Sequence, residues 1–396
     1  MAIPALVVDH LNALGDQPSI HALVAGVSRY TYLPGGGGDP VAAVDFGLPQ
    51  LDSTARTAHL ICEWLIKMDA EGRLPLPLGS VRLLLSPSDA EDDLPKVPEC
   101  TWKNFSDEAE AWRKAAARND KNLTFFYYTG HGLQLPPARS ILLMSDFGGP
   151  GGAELEYAVE LDHVMQGMVP PSAALGQIAR TQFYFVDACR TPAVELSDLE
   201  PAHKIWKTPP AGADDRTRPV YFGAPPGVAA NALPGKQTLF SEALMECFDG
   251  LAAIGPEGND PRWLLTSLSL TEGLKVAIER VNKKYEEKGA KQSFQPLPSD
   301  KATLLYFNEP PLVEVEFKIE PDAAVQLFKV DVADDEANPL FSIDPIAPHP
   351  HIRKLRAGQY IFRAQLLNGP HPVYRSRTKA LPVKPPTVPW TAKVSP

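Results

Sequence analysis

The chain has 396 residues, of which 44% are hydrophobic, and this length and composition support a large folded domain together with a smaller one. Acidic residues outnumber basic residues by 48 to 38, which gives a net charge of −10. Because a negative surface repels phosphate groups, neither nucleic acid nor a membrane is expected as the main partner. Prolines gather in four stretches that we expect to be loops or linkers: 92–98, 134–137, 209–226 and 369–389.

The cysteines and the N-terminus bear on the compartment. The four cysteines show no Cys-x-x-Cys spacing, so we expect neither a zinc site nor a disulfide framework. The first residues, MAIPALVVDHLNALG, lack the basic start of a signal peptide. No segment reaches the roughly eighteen apolar residues that a membrane helix needs. These features predict a soluble, cytoplasmic protein.

The predicted elements of the first three quarters alternate between strands and helices. Apolar runs predict buried strands, and amphipathic segments with capping residues predict helices. Strands that are apolar throughout and alternate with helices indicate an α/β domain with a mainly parallel sheet flanked by helices. In chain order we expect a strand at 20–28, a helix at 52–67, a strand at 80–85, a helix at 104–117, strands at 122–130 and 140–146, a helix at 160–168, strands at 181–188 and 218–224, a helix at 238–250 and a helical segment at 261–285.

The pattern changes near Pro310. From there the chain contains short segments with two-residue alternation of apolar and polar side chains, separated by Pro, Gly, Asp or Asn. This pattern is typical of a small antiparallel β-sandwich. We therefore predict an α/β domain over 1–309 and a β-sandwich domain over 310–396. The predicted strands lie within 312–320, 324–332, 351–357 and 359–367.

Two segments of the α/β domain carry chemically reactive side chains, FFYYTGHG (125–132) and FYFVDACR (183–190). Each is an apolar strand that ends beside His131 or Cys189, and open parallel sheets bind ligands beyond the carboxyl ends of their strands. An imidazole beside a thiol can take its proton and later protonate a leaving amine. The amides of Gly132 and Cys189 would complete the site as an oxyanion hole. A lone His or Cys after a strand is usually inert, and the prediction depends on the two occurring together.

The two motifs resemble those of the caspase, metacaspase and paracaspase peptidases. In that group a His-Gly pair follows an aromatic strand, and the nucleophilic cysteine follows a later core strand. The resemblance implies a prokaryotic caspase-like cysteine endopeptidase, with Cys189 as the nucleophile, His131 as the general base and acid, and no cofactor. It covers about residues 18–250, or at most up to residue 307, and is supported by four further segments: 20–28, 48–65, 220–231 and 238–244.

The same resemblance suggests which peptide bond is cleaved. Caspases that cut after aspartate have Gln two residues before the cysteine and an Arg near the first helix, where this chain has Asp187 and Leu48. Metacaspases and paracaspases have Asp at the first position, which suits Arg or Lys substrates. Metacaspases also have Ser two residues before the histidine, where Thr129 stands, and an Asp in the first helix, where Thr54 stands and Asp52 is the nearest substitute. The alternative, that Asp187 only accepts backbone hydrogen bonds, stays open.

The stretch 191–217 has neither a helix nor a strand pattern, and loops of this length are usually functional or mobile. In caspase-like peptidases the corresponding loop shapes the substrate pocket and is often the site of self-cleavage. A solvated linker is the alternative interpretation. The basic residues that match the predicted preference are Lys204, Lys207, Arg216 and Arg218.

Other features predict less. The acidic run 89–93 contains oxygen ligands of the kind that calcium prefers, but it is more simply a solvated loop, so no metal site is predicted. The expected partners are a protein or peptide substrate and, by analogy with bacterial relatives in stress or antiviral signalling, a protein activator. The alternative function is a caspase-fold interaction scaffold that binds partners through residues 310–396.

Overall fold

The computed structural model describes residues 4–39, 47–136, 139–150, 155–170, 177–192, 215–227, 233, 235–297, 299–344, 346 and 349–395. The chain forms two compact units. The first consists of Met1–Leu244 and Ile278–Ala302, and the second of Met245–Ala277 and Thr303–Pro396. The predicted boundary at residue 310 therefore falls inside the second unit.

The elements up to residue 297 alternate between strands and helices. In chain order they are β1 (Leu6–Asp9), α1 (Leu11–Leu14), β2 (Ile20–Val27), α2 (Thr54–Ala70), β3 (Leu78–Ser86), α3 (Trp102–Ala116), β4 (Leu123–Gly130), β5 (Gly132–Leu135), β6 (Arg139–Leu143), β7 (Ala158–Glu160), α4 (Leu161–Gly167), β8 (Thr181–Ala188), β9 (Thr191–Pro192), β10 (Val220–Phe222), α5 (Leu239–Glu246), β11 (Trp263–Thr266), α6 (Ser267–Lys284) and β12 (Gln295–Leu297). The remaining strands are β13 (Thr303–Phe307), β14 (Leu312–Glu320), β15 (Phe328–Asp334), β16 (Pro339–Ile343), β17 (His351–Arg356), β18 (Gly358–Leu366), β19 (Arg377–Val383) and β20 (Thr387–Lys393).

A seven-stranded sheet in the order β1-β3-β2-β4-β8-β10-β12 forms the centre of the first unit. Its five inner strands are parallel, and the two edge strands run antiparallel to their neighbours. The residues of β2, β4 and β8 are buried almost throughout, because both faces of the sheet are covered. The α/β fold expected from the apolar strands is thus confirmed, as a mixed sheet.

Two aromatic contacts show that α2 and α3 cover opposite faces of this sheet. Trp64 of α2 packs on Phe125, with ring centroids 6.1 Å apart, and Trp112 of α3 packs on Phe126, at 6.0 Å. Because successive residues of a strand point to opposite faces, the two helices lie on either side of β4. A smaller four-stranded sheet, β7-β6-β5-β9, continues directly from the end of β4.

The C-terminal strands of the second unit form two further sheets, β17-β14-β20 and β16-β15-β18-β19. The two sheets share one apolar core. At its centre Phe317 packs edge-on against Phe362, at 5.4 Å between centroids, and against Trp390, at 5.8 Å. This arrangement is the expected small β-sandwich, except that it is not wholly antiparallel, because β14 and β20 pair in parallel.

Three local predictions were wrong. The start of 261–285 is a strand, β11, which pairs with β13, because the apolar run of four residues precedes the helix without belonging to it. Residues 324–327 lie in a 3-10 helix that ends before β15. The proline-rich stretch 369–389 contains β19 and the start of β20. Both are sheet-edge strands, where a proline removes no ladder hydrogen bond. Among the described residues, no helix is long and apolar enough to cross a membrane.

Candidate active site

His131 and Cys189 follow the carboxyl ends of two neighbouring parallel strands. β4 and β8 are paired in register up to their last residues, Gly130 and Ala188, so His131 and Cys189 occupy equivalent positions one residue further on. Neighbouring strands lie about 4.8 Å apart. The fold therefore places the imidazole-bearing and thiol-bearing residues side by side at one edge of the sheet, with His131 buried and Cys189 partly exposed.

Both glycines that flank His131 permit close approach of other groups. A Cβ on Gly130 would lie 2.7 Å from the Tyr30 hydroxyl, and this glycine has a φ of +156°. A Cβ on Gly132 would lie 2.5 Å from the carbonyl oxygen of Cys189. Any side chain at Gly132 would thus push the histidine strand away from the cysteine strand, which explains the Gly-His-Gly motif by packing alone.

The two ring nitrogens of His131 have different surroundings. Nε2 lies 2.6 Å from the carbonyl oxygen of Pro49, and a carbonyl can only accept, so Nε2 carries the proton. Nδ1 is buried and has no hydrogen-bond partner within the described part of the chain. In the neutral tautomer that results, Nδ1 has a free lone pair and is able to accept a proton.

A pair of buried tyrosines holds the backbone of His131. Its amide donates to the Tyr30 hydroxyl at 2.6 Å, and the Tyr128 hydroxyl lies 3.0 Å from its carbonyl oxygen. Both hydroxyls lie beside Gly130, where a Cβ would be 2.7 Å from that of Tyr30 and 2.8 Å from that of Tyr128. The Tyr30 ring packs against the imidazole, with centroids 4.9 Å apart. Sequence analysis missed Tyr30, Tyr128 and Pro49, since their roles depend on contacts between distant segments.

Burial controls the protonation of His131. Loss of solvent lowers the pKa of His131 from its usual value, and the bond to the Pro49 carbonyl opposes this effect only partly. The imidazole is therefore neutral at neutral pH, the form in which a histidine can act as a base.

Asp187 lies two residues before Cys189 and is 2% exposed. Its Oδ2 accepts hydrogen bonds from the hydroxyls of Tyr127, at 2.8 Å, and Thr238. Its Oδ1 is buried without a partner among the residues that the structure describes. Burial raises the pKa of Asp187 to about 6, against the opposing effect of the Thr238 and Tyr127 hydrogen bonds. The carboxylate is thus ionised at neutral pH, with one oxygen left unsatisfied.

The surroundings of that oxygen are small and polar. A Cβ on Gly223 would lie 3.0 Å from Asp187 Oδ1, so the absence of a side chain there leaves room beside the carboxylate. Thr129 is paired with Asp187 across β4 and β8, and its hydroxyl is also buried with no partner in the described ranges. The unsatisfied oxygens of Thr129 and Asp187 therefore belong to paired residues of neighbouring strands, two residues before His131 and Cys189.

The remaining predicted site residues lie at the start of α2. Thr54 donates to the carbonyl of Val27 at 2.6 Å and accepts from Ser28 at 2.9 Å. These bonds fasten the helix to the end of β2, which is a structural reason for a threonine at this position. Asp52 is half-buried just before the helix, and no contact given by the described residues joins it to Asp187.

Arg190, directly after Cys189, is a buried cation that sequence analysis did not single out. Its guanidinium donates to the side-chain oxygens of Gln134, at 2.7 Å, and Gln295, at 2.6 Å, and lies 4.2 Å from the ring centre of Phe222. Burial lowers the pKa of Arg190. These contacts join three strands, β5, β12 and β10, around the residue that follows the cysteine.

The structure describes no group of three or more side chains that could hold a metal ion. In the acidic run 89–93, Glu91 accepts from the amides of Arg56 and Ser88, and Asp93 is paired with the Arg56 guanidinium. Asp89 also lies 3.7 Å from the Arg29 guanidinium, so three of the acidic side chains in this run have protein partners.

The family model of the caspase domain, peptidase family C14, matches residues 21–298, which is more than half of the chain. The chain belongs to the caspase-domain family. The matched range runs from β2 to β12 and contains His131, Asp187 and Cys189, whereas the C-terminal strands lie outside it. Caspase-domain proteins are cysteine peptidases, so proteins or peptides are the substrate class of the family.

Two other comparisons add little to this assignment. No curated protein matches the chain. Among solved structures, the crystal structure of a protein from Geobacter sulfurreducens has 12% sequence identity and a TM-score of 0.41, over 72% of this chain and 95% of that one. At that similarity the comparison carries no argument about the caspase domain or its chemistry.

Proposed function

We propose that the chain is a cysteine endopeptidase in which Cys189 and His131 form the catalytic dyad. The observation that carries the proposal is the buried imidazole whose Nε2 is bonded to the Pro49 carbonyl and whose Nδ1 faces no partner in the part of the chain described. A structural histidine normally satisfies both nitrogens, whereas a general base must keep one free.

In the proposed reaction Nδ1 of His131 takes the thiol proton of Cys189, and the thiolate attacks the carbonyl carbon of the scissile bond. The resulting oxyanion would be bound by the amides of Gly132 and Cys189. The C–N bond then breaks, the imidazolium returns its proton to the leaving amine, and a thioester remains. A water molecule, deprotonated by the same nitrogen, hydrolyses the thioester and regenerates the thiol. The Pro49 carbonyl supports the imidazolium by accepting from Nε2.

We infer a preference for substrates with Arg or Lys before the cleaved bond. The unsatisfied Oδ1 of Asp187, the space beside Gly223 and the unpaired hydroxyl of Thr129 support this inference. A guanidinium or ammonium would satisfy these oxygens through charge-assisted hydrogen bonds, whereas a substrate carboxylate would meet a buried like charge.

Labelling with peptidyl chloromethyl ketones tests both parts of this proposal. We expect a reagent ending in Arg to alkylate Cys189, as located by peptide mass spectrometry, and to react much faster than one ending in Asp. The Cys189→Ala protein is the first control, since its remaining thiols, Cys62, Cys100 and Cys247, are buried. In Asp187→Asn the advantage of the Arg reagent should fall by about 10- to 100-fold, as expected for loss of one buried charge partner. Absence of labelling at Cys189 in the folded protein would contradict the enzyme assignment, and faster reaction of the Asp reagent would contradict the basic preference.

We also propose that the peptidase cuts its own chain between β9 and β10. Two of the predicted cleavage residues, Lys204 and Lys207, lie outside the described residues. The other two flank Thr217, whose amide and carbonyl are hydrogen-bonded to Arg180 and Gln182 at 2.9 and 3.0 Å. A substrate segment must be free to enter the active site, so these two hydrogen bonds count against cleavage after Arg216 or Arg218. Intact-mass analysis of active enzyme beside Cys189→Ala tests this: activity with the chain uncut would instead favour ordering of the loop by a protein activator.

A further inference from the structure

His131 contacts Pro49 and Tyr30, and both of these residues are bonded to Gln50. The imidazole Nε2 is bonded to the carbonyl of Pro49, which shares a peptide bond with Gln50. The amide of His131 and the face of its ring both contact Tyr30. Gln50 connects these two neighbours of the histidine, which are otherwise far apart in the sequence.

The carboxamide of Gln50 holds the loop after β2 through four hydrogen bonds. Its Oε1 accepts from the amide of Tyr30 at 2.7 Å. Its Nε2 is shared among three carbonyl oxygens, those of Tyr30 at 2.9 Å, Pro34 at 3.1 Å and Leu33 at 3.3 Å. Both polar groups of the backbone of Tyr30 are thus bonded to a single side chain.

This arrangement fixes the acceptor of His131 from both directions. The peptide that contains the Pro49 carbonyl ends at Gln50, and the next amide, of Leu51, donates to the carbonyl of Ser28 at 2.9 Å. With Gln50 anchored to the Tyr30 loop, the Pro49 carbonyl has little freedom to rotate away from Nε2. Without the carboxamide, the described hydrogen bonds that would still hold this segment to the end of β2 include those of Leu51 to Ser28 and of Thr54 to Val27 and Ser28, and none of these reaches Tyr30.

We propose that Gln50 is a positioning residue that sets the tautomer of His131, by locking the Pro49 carbonyl and Tyr30 in one arrangement around the imidazole. As a statement about catalysis this rests on the proposed function, because the tautomer matters for turnover only if Nδ1 is the base. The effect of Gln50 on the tautomer itself does not depend on the proposed function, and the tautomer can be measured even in a protein without peptidase activity.

Three variants separate the possibilities. Gln50→Ala removes all four hydrogen bonds. Gln50→Glu keeps an acceptor for the Tyr30 amide but replaces the donor with an oxygen that repels the three carbonyls. Asn119→Ala is the matched control, because this carboxamide also joins backbone groups of a loop. It donates to the Asp16 carbonyl at 2.8 Å and accepts from the Lys121 amide at 2.9 Å, and no hydrogen bond among the described residues joins it to His131.

The first readout is the protonation state of the His131 ring, measured by nitrogen-15 NMR of histidine-labelled protein at pH 7.5 and assigned with His131→Asn. We expect a proton on Nε2 in the parent protein and in Asn119→Ala, and a mixture of tautomers in both Gln50 variants. The second readout is hydrolysis of an Arg-containing fluorogenic peptide, for which kcat should fall by about 10- to 100-fold in both Gln50 variants while KM changes little, as expected for a misplaced catalytic group.

Wild-type tautomer and kcat in folded Gln50→Ala and Gln50→Glu would overturn the proposal. Equal losses in Asn119→Ala would also overturn it, since they would show a general effect of loop anchoring. A parent protein that hydrolyses no peptide, yet shows the tautomer change in the Gln50 variants, would refute the proposed function and support the positioning role.

Discussion

The central sheet buries one histidine near each end of its parallel strands, and the two differ in how their nitrogens are satisfied. His21, at the amino end of β2, has Nε2 3.2 Å from the hydroxyl of Ser19 and Nδ1 2.9 Å from that of Ser80. His131, beyond the carboxyl end of β4, has a partner only at Nε2 within the described residues. The two rings are similarly buried.

The difference separates a histidine with both nitrogens bonded from one whose Nδ1 has no partner among the described residues. Hydroxyls can donate or accept, so they satisfy His21 completely and leave it no lone pair to use. Burial, aided by the positive charges of Arg118 and Arg82, lowers the pKa of His21 to about 4. Burial alone therefore does not identify a catalytic histidine, and the unsatisfied nitrogen is the more informative observation.

The largest effect should come from exchanging each histidine for asparagine. We expect His131→Asn to lower kcat/KM for an Arg-containing peptide by at least about 10³-fold, as for loss of a member of a catalytic unit. His21→Asn should leave the activity of the folded protein nearly unchanged and lower its melting temperature. Steady-state kinetics with thermal unfolding of both variants checks this. Equal losses of activity in both would remove the distinction between the two ends of the sheet.

His21 at the amino end and Asp187 at the carboxyl end should also contribute to the pH dependence of stability with opposite sign. The folded-state pKa of His21 lies at about 4, below the unfolded value of about 6.5, so its contribution to stability is complete above pH 6.5 and is lost as the pH falls towards 4. That of Asp187 lies at about 6, above the unfolded value of about 3.9, so its contribution is present at low pH and is lost as the pH rises through 6. Each group changes the free energy of unfolding by about 3 kcal/mol between its folded and unfolded pKa values. Between pH 4 and 6 these two changes nearly cancel.

Single variants should therefore separate these two opposing contributions to the pH dependence of stability. Relative to the parent, the stability of Asp187→Asn should rise with pH between 4 and 6 by about 1.4 kcal/mol per pH unit, and the stability of His21→Asn should fall by a similar amount. Chemical denaturation at several pH values measures both slopes. Parallel curves for the two variants would show that one of the two groups is not buried in the way described.

The smallest expected effect concerns two threonines of the same strand. Thr124 and Thr129 of β4 both have buried hydroxyls without partners in the described ranges. Replacing either by valine should change the free energy of unfolding by less than about 1 kcal/mol, since an unsatisfied polar group is exchanged for an apolar one of the same shape. Only Thr129→Val should lower the preference for Arg over Asp substrates, because Thr124 lies near the amino end of the strand. Equal effects of the two on preference would remove Thr129 from the pocket.

Most of the central sheet was predictable because its strands are continuous apolar runs between polar loops. The strands predicted at 20–28, 122–130 and 181–188 correspond to β2, β4 and β8. The short β12 was not predictable, since its three residues carry no pattern. The edge strands β19 and β20 were hidden by prolines, which sequence analysis interprets as loop residues and which an edge strand tolerates.

The position of the candidate site in the fold was predictable to the extent that it depends on strand ends. His131, Cys189 and Asp187 each lie at the end of an apolar strand, and parallel strands bring such residues to one edge. The Pro49 carbonyl and the Gln50 carboxamide were not predictable, because one is a backbone group that every residue possesses and the other acts through carbonyls of a loop. Neither leaves a signature in the composition or spacing of the chain.

The chain passes more than once between the two compact units, and this affects both the order in which they can fold during synthesis and the result of truncating the chain. The polypeptide passes from the first unit to the second at residue 244, returns at 278 and leaves again at 302. β12, whose Gln295 holds Arg190, can reach its place only after residues 245–277 have left the ribosome. Those residues include Trp263, which packs against the core of strands made last. A premature stop near residue 309 would thus spare every residue of the first unit, yet it would leave Trp263 without the strands that it packs against. Such an exposed apolar surface favours aggregation and chaperone binding.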